Sequence, residues 1–295
     1  MNEKKPKIIL HIGMHKTGTT SIQKFLHLNY EALLRQGVLY PFAGRFRKDG
    51  ERHESHLMLA WSVVGRYARK YDVRLSEKPW MRLREEIEEK KPGRVVLSSE
   101  FFWPATTQEI KKIRRYLDDY SVRIIVYVRD PVNYAISSYK QAVKAGMYED
   151  TIVKFVTERL WQYDTHGVLS RWESVFGKKS ISCYKYERCR SRLTEHFVEA
   201  AHIHWSDQLS SVEPKNVSPP DNVVHFIRRL NILERWLKPT PLRIFIARAR
   251  RNILASRVPG RWVAWLMSKF SSRPIATRQD IEDIYTEIKG NGLLV

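Results

Sequence analysis

The sequence predicts an α/β protein, a three-layer fold with a central, mostly parallel β-sheet. Three observations carry that expectation. Short, β-branched apolar runs recur along the first two thirds of the chain, as in strands buried on both faces. Helical patterns lie between them, and such alternation gives a parallel sheet covered by helices. A turn bearing two glycines and several hydroxyls follows the first run directly, and sites in these folds sit beyond the carboxyl ends of the strands.

Strands are expected at Lys7 to Ile12, Arg94 to Ser98, Arg123 to Val128 and Ser180 to Tyr186. Helices are expected at Ser21 to Gln36, Met81 to Lys90, Thr107 to Tyr120 and Asn133 to Ala145. Val212 to Asp221 carries three prolines and reads as a connecting loop. The expected division is a nucleotide-binding α/β domain over residues 1–210 and a helical C-terminal region over 211–295 packed on the same domain. With 295 residues and 43% hydrophobic composition, the chain has ample material for a folded core.

Charge narrows the function classes. Lys and Arg number 52 against 32 Asp and Glu, a net of +20, so anionic partners are expected. The basic residues do not form a recognised nucleic-acid module, and nucleic acid is not expected as a partner. The two cysteines, Cys183 and Cys189, have the spacing of neither a zinc site nor a disulfide framework. Ile8-Ile9-Leu10 is too short for a signal peptide or a membrane span, which makes the cytoplasm the expected location.

The segment from Gly13 to Ser21 has the parts of a phosphate cradle. Glycine lets the backbone approach an anion, successive N–H groups point inward, and a helix N-terminus adds its positive end. Gly13 and Gly18 have the GxxxxG spacing of a Walker A loop, so the fold is expected to be P-loop-like. Thr19-Thr20 follow where Lys-Ser or Lys-Thr belongs, and Lys16 lies two residues before the second glycine. A kinase or ATPase would lack its phosphate lysine from the usual place. A capped strand-to-helix turn explains Thr19 to Ser21 but not Lys16 together with two glycines.

Lys16-Thr17-Gly18-Thr19-Thr20 after a strand resembles the 5′-phosphosulfate-binding loop of sulfotransferases that use 3′-phosphoadenosine 5′-phosphosulfate (PAPS). The longer string from His11 to Gln23 is similar to the bacterial carbohydrate-sulfotransferase branch. The resemblance implies that His15, Lys16, Thr17, Gly18, Thr19, Thr20 and Ser21 hold the donor, that Lys16 also supports the leaving group, and that no metal is required. Arg129-Asp130-Pro131 ends another apolar run, with Ser137 eight residues beyond Arg129. The family carries its 3′-phosphate motif there, which implies that Arg129 and Ser137 bind that phosphate. On its own, Arg129 could equally pair with a neighbouring acid such as Asp130. Lys215, Asn216 and Ser218 fall where the family often places a late loop near the same phosphate.

Sulfuryl transfer to a hydroxyl needs a group to take the acceptor's proton. The run Arg94 to Phe102 is a strand ending in Glu100, and related families have a catalytic His or Glu near the end of a comparable strand. Glu100 is therefore the expected general base, against a purely structural role as a cap or ion-pair partner. His15, His53 and His56 are rivals; His53 and His56 are spaced as a weak metal pair, for which an acceptor-lining segment is the plainer reading. Ser180 to Glu187 resembles a later core strand of the family ending in a Tyr-Glu pair, with packing as its expected role.

The expected acceptor is a carbohydrate or a lipid-linked glycan. From Lys238 to Gln279 there are ten Lys or Arg and no acid, alongside Trp262, Trp265 and Phe270. Leu242 to Ala255 interleaves apolar residues with arginines. It reads as a helix on the inner face of an anionic membrane, as a groove for an acidic acceptor, or as a packed helix with solvated arginines. Two rival functions complete the expectations. One is an NTPase or kinase with an aberrant loop; the other is a non-catalytic polyanion-binding protein.

Overall fold

The structure is a computed structural model, and it describes residues 5–45, 47–48, 51–52, 54–66, 76–211, 220–237 and 274–293. Strand β1 (Lys7–His11) leads through the glycine turn into helix α1 (Thr19–Leu28), followed by α2 (Tyr30–Arg35) and β2 (Val38–Leu39). Residues Arg47–Lys48 (β3) and Glu51–Arg52 (β4) form a small antiparallel ribbon. The remaining strands are β5 (Arg94–Ser98), β6 (Ser121–Val128) and β7 (Ile181–Lys185).

Five of these strands form one sheet in the order β2-β5-β1-β6-β7, and every neighbouring pair is parallel. The α/β, P-loop-like class expected from the sequence is the observed one. Its centre is apolar throughout: Ile8, Ile9, Leu10, Val95, Val96, Leu97 and Ile124 to Tyr127 are all fully buried. One cluster packs α1, α2 and the helix Leu193–Ala200 on the sheet through Ile22, Phe25, Leu26, Leu33, Phe197 and Val198. Burying each such side chain contributes roughly 1.5–3 kcal/mol.

Several boundaries differ from expectation, each for a physical reason. The helix expected over Ser21 to Gln36 is broken at Asn29. Asn29 Nδ2 donates to Phe25 O at 2.9 Å and Ser210 O at 3.0 Å, while Ser210 N donates back to Asn29 Oδ1 at 2.8 Å. That side chain competes with the helical ladder, and two shorter helices result. The third expected helix starts from a capping box made by Thr106 and Glu109 but stops at Tyr116, where Arg114 Nη1 takes the Leu117 carbonyl at 3.0 Å. Helix Lys78–Lys90 begins earlier than expected because Pro79 suits a first turn.

The chain divides into two compact units. The first joins Met1–Asp130 with Thr165–Lys215 and contains the five-stranded sheet; the second joins Pro131–Asp164 with Asn216–Val295. The second unit is helical among its described residues, built on Pro131–Lys144, Ile152–Thr157, Asp221–Trp236 and Arg278–Gly290. Lys140 pairs with Asp221 at 2.5 Å, and Asp221 Oδ2 also accepts from Ile275 N. Among the described residues no helix is long and apolar enough to cross a membrane.

Candidate functional site

The three central strands of the sheet deliver the three candidate groups. At the end of β1 the backbone turns left-handed at Gly13 (φ 68°), Lys16 (φ 68°) and Gly18 (φ 74°). An added Cβ would meet a different neighbour at each glycine. A Cβ on Gly13 would stand 2.7 Å from the Glu100 Cα, and one on Gly18 would stand 2.3 Å from Leu193 Cδ2. Gly13 thus lets the end of β5 press against the loop, and Gly18 lets the helix Leu193–Ala200 do so.

Gly18 is the N-cap of α1, with no side-chain cap and no acidic residue in the first turn. Its carbonyl takes the Ser21 and Ile22 amides at 2.9 and 3.3 Å, so the earlier N–H groups of α1 are left to a ligand. Thr17 is fully buried and donates its hydroxyl to Met14 O at 2.7 Å, bracing the loop from within. Thr20 is exposed, Ser21 and Lys16 are half-buried, and Thr19 is buried. His15 is half-buried and packs edge-on against Phe101, with ring centroids 5.4 Å apart.

Arg129, just beyond β6, donates from Nη1 to Lys16 O at 2.9 Å. Its guanidinium stands 5.4 Å from the centre of the Tyr186 ring, and its Nε is 3.7 Å from Glu187 Oε1. Glu187 also accepts from Asp130 N at 3.2 Å, so its carboxylate braces the Arg129–Asp130 turn. Burial lowers the Arg129 pKa from its ordinary value, a cost that a bound phosphate would offset. Ser137 is half-buried on the helix Pro131–Lys144 of the second unit, which begins two residues before the expected Asn133 because proline suits the first helical position. Its pairing with Arg129 rests on the sequence spacing. Lys215, Ser218, His53, residues 212–219 of the expected loop Val212 to Asp221, and residues 238–273 of the basic segment, with Leu242 to Ala255, Trp262, Trp265 and Phe270, lie outside the described residues; Asp221 opens a helix instead.

Glu100 opens a short 3-10 turn, Glu100–Phe102, immediately after β5. Ser99 caps that turn by accepting from Phe101 N at 3.4 Å. Gln23 of α1 donates to Glu100 Oε2 at 3.0 Å, so the carboxylate is anchored beside the loop.

His56 is fully buried: Nδ1 accepts from Ser98 N at 3.1 Å, and Nε2 donates to Pro41 O at 3.0 Å. Burial pushes its pKa down to about 3. With both ring nitrogens engaged and the imidazole neutral, His56 is a strut of the β5 end and not an acid or base. Among the described residues no group of three or more His, Cys, Asp or Glu is arranged to hold a metal ion.

The model of the sulfotransferase family, described as the sulfotransferase domain, matches residues 5–202. The chain belongs to the sulfotransferase family. The matched span includes the loop, Glu100, Arg129 and Ser137. Among solved structures, a sulfotransferase from Alicyclobacillus acidocaldarius is 17% identical over 89% of this chain and 99% of that one, with a TM-score of 0.44. A sulfotransferase domain from the curacin biosynthetic pathway is 11% identical, covering 86% of this chain and 99% of its own, with a TM-score of 0.42. An uncharacterized protein of Archaeoglobus fulgidus is 32% identical over 94 residues, 32% of this chain, and the match spans 25% of that relative's length.

Sequence reasoning missed three residues that shape this site, His11, Gln23 and Ser98, and gave Tyr186 and Glu187 a packing role, whereas they flank the Arg129 turn. Gln23 carried a signal, since it lies two residues past the loop at a helical position facing the sheet. The bracing role of Glu187 has no local signal, because its bond to the Arg129–Asp130 turn spans 57 residues.

Proposed function

We propose that this sulfotransferase moves a sulfuryl group from PAPS to a hydroxyl of a carbohydrate or glycan acceptor. The observation that carries the reading is the loop between β1 and α1, whose left-handed turns leave the start of α1 uncapped and uncountered by acid. A helix end with free N–H groups and a nearby lysine fits a 5′-phosphosulfate. The donor supplies the sulfuryl group and leaves as 3′,5′-adenosine bisphosphate.

In this proposal the loop from His15 to Ser21 holds the 5′ end, the Ser21 contribution being its hydroxyl, with Thr17 shaping the loop by its internal bond. Lys16 supplies positive charge where negative charge grows on the leaving oxygen. Arg129 and Ser137 grip the 3′-phosphate, with Lys215 and Ser218 as further contacts, and the Arg129 bond to Lys16 O couples that grip to the loop. Glu100 takes the proton of the acceptor hydroxyl as its oxygen bonds to sulfur and the bond from sulfur to the phosphate oxygen breaks. No step calls for a metal ion. The net charge of +20 suits an anionic glycan, lipid-linked or free, with the basic C-terminal region as its contact or as a contact with the inner membrane face. Cytoplasmic placement belongs to the same proposal.

Calorimetric titration with 3′,5′-adenosine bisphosphate tests the donor. Binding that vanishes in Arg129→Ala and survives in Glu100→Gln is expected; no binding by the wild type sinks the assignment. Transfer of labelled sulfate from PAPS onto a panel of glycans tests the acceptor class, with Glu100→Gln expected to lose transfer.

A further inference from the structure

Behind Glu100 runs a chain of buried polar side chains that donor binding does not explain. Gln23, 3% exposed on α1, places its Nε2 3.0 Å from Glu100 Oε2 and 3.2 Å from Ser98 Oγ. Ser98 ends β5, is fully buried, and lies 2.8 Å from Nδ1 of His11, its partner in the β1–β5 register. His11 is also fully buried, and desolvation pushes its pKa down to about 3, so the imidazole is neutral. Its Nε2 has no hydrogen-bond partner among the described residues. The ring packs edge-to-face against Phe197 and Tyr127, with centroids at 5.4 and 6.0 Å.

Proton counting gives the chain a direction. An ionised carboxylate only accepts, so Gln23 presents its NH2 group to Glu100. The same NH2 group donates to Ser98 Oγ, which leaves the Ser98 proton for His11 Nδ1. Nδ1 is then bare, and the imidazole proton sits on Nε2 among the aromatic rings. That proton has nowhere to go, because no acceptor adjoins Nε2. A fixed tautomer keeps Ser98 donating to His11 and accepting from Gln23. If the Gln23 amide flipped, its oxygen would face the Ser98 lone pairs and the carboxylate together. The N–H therefore stays on Oε2.

We infer that His11, Ser98 and Gln23 form a positioning chain in which the buried imidazole fixes the Gln23 amide, and the amide holds Glu100 by Oε2 while leaving Oε1 for the acceptor hydroxyl. Oε1 carries no hydrogen bond from the described residues. An amide suits this position because it orients the carboxylate without the neutralising charge that a lysine or arginine would bring. The inference rests on the reading of Glu100 as general base, and its geometry can be tested without donor or acceptor.

Nuclear magnetic resonance on the nitrogen-labelled full-length chain at neutral pH reads the chain directly. His11 is expected with Nε2 protonated and Nδ1 bare, and the Gln23 side-chain N–H signals are expected to move in both Glu100→Gln and Ser98→Ala. An Nδ1–H tautomer, or Gln23 signals indifferent to both substitutions, overturns the inference. Function is read in Gln23→Met, which keeps the volume and removes the donor. Release of labelled sulfate from PAPS with water as acceptor is expected to fall about tenfold, while affinity for 3′,5′-adenosine bisphosphate stays within about twofold. Equal losses of rate and affinity mean simple disruption of α1, and they also overturn it. Should Gln23→Met fail to fold, Ser98→Ala carries the same measurement with the same expected split. If Glu100→Gln releases sulfate as fast as wild type, the assignment of the base falls while the spectroscopic result stands.

Discussion

The Arg129 guanidinium donates a 2.9 Å hydrogen bond to the main-chain carbonyl of Lys16, tying the end of β6 to the loop that follows β1. One side chain thus does two things in the proposed site: it fixes the loop and faces the 3′-phosphate. The planar guanidinium offers separate N–H groups in fixed directions to the carbonyl and to an anion, which a point-like ammonium does not. Arg129→Ala is expected to lower the affinity for 3′,5′-adenosine bisphosphate about 10- to 100-fold, and Arg129→Lys to recover little of it. Calorimetric titration of both variants checks this; full recovery by lysine would mean that charge alone matters there.

Lys16 holds φ at 68° without being glycine. The left-handed region costs a residue with a Cβ roughly 1–2 kcal/mol, and glycine avoids most of that. Lys16→Gly and Lys16→Ala both remove the ammonium, so their difference isolates the backbone. Lys16→Gly is expected to be about 1 kcal/mol more stable than Lys16→Ala in urea denaturation, while both lose transfer of labelled sulfate. Equal stabilities would show that the turn is not strained.

How much of this was legible in the sequence follows from how local each signal is. The loop from Gly13 to Ser21 is contiguous, and its glycines, hydroxyls and lysine state their chemistry by spacing. Arg94 to Ser98 could be bounded to the residue because a β-branched run between Gly93 and a polar pair has few alternatives. Asn29, by contrast, breaks a helix through a partner 181 residues away. His11 looked like one more residue of a strand; its link to Ser98 exists only because β1 and β5 are neighbours in that register. Strand order, and every pairing that depends on it, is absent from a one-dimensional pattern.

His11 and His56 set a pH dependence of stability. Both are fully buried with pKa values pushed from 6.5 down to about 3 by desolvation, so each is neutral when folded and gains a proton on unfolding. Between those two values the unfolded state binds more protons, and stability rises with pH. The contribution is complete above 6.5 and is lost as pH falls toward 3, by at most about 1.4 kcal/mol per pH unit for each histidine. Urea unfolding followed from roughly pH 4 to pH 7.5 should show that slope, and His56→Gln should reduce it. Parallel slopes in the two proteins would remove His56 from the account.

In the second unit, Asn231 closes the end of the helix Pro131–Lys144. Gly146 follows that helix with φ 73°; its amide bonds Val143 O at 3.0 Å, and the Met147 amide bonds Ala142 O at 2.9 Å, the pattern of a Schellman cap. Asn231 Nδ2 adds a 2.8 Å bond to Val143 O and a 3.2 Å bond to Tyr148 O from a site 5% exposed. Two carbonyls from consecutive turns of chain are thereby held by one amide group. Asn231→Leu removes both donors and leaves the carbonyls under-satisfied in a buried place, at a cost of about 2–4 kcal/mol. The Gly146 and Met147 amides should then exchange with deuterium faster, because the cap opens more often. Exchange at β1 and β5 measured in the same experiment serves as the control. Faster exchange there by an equal factor would mean global destabilisation and would deny Asn231 its local role.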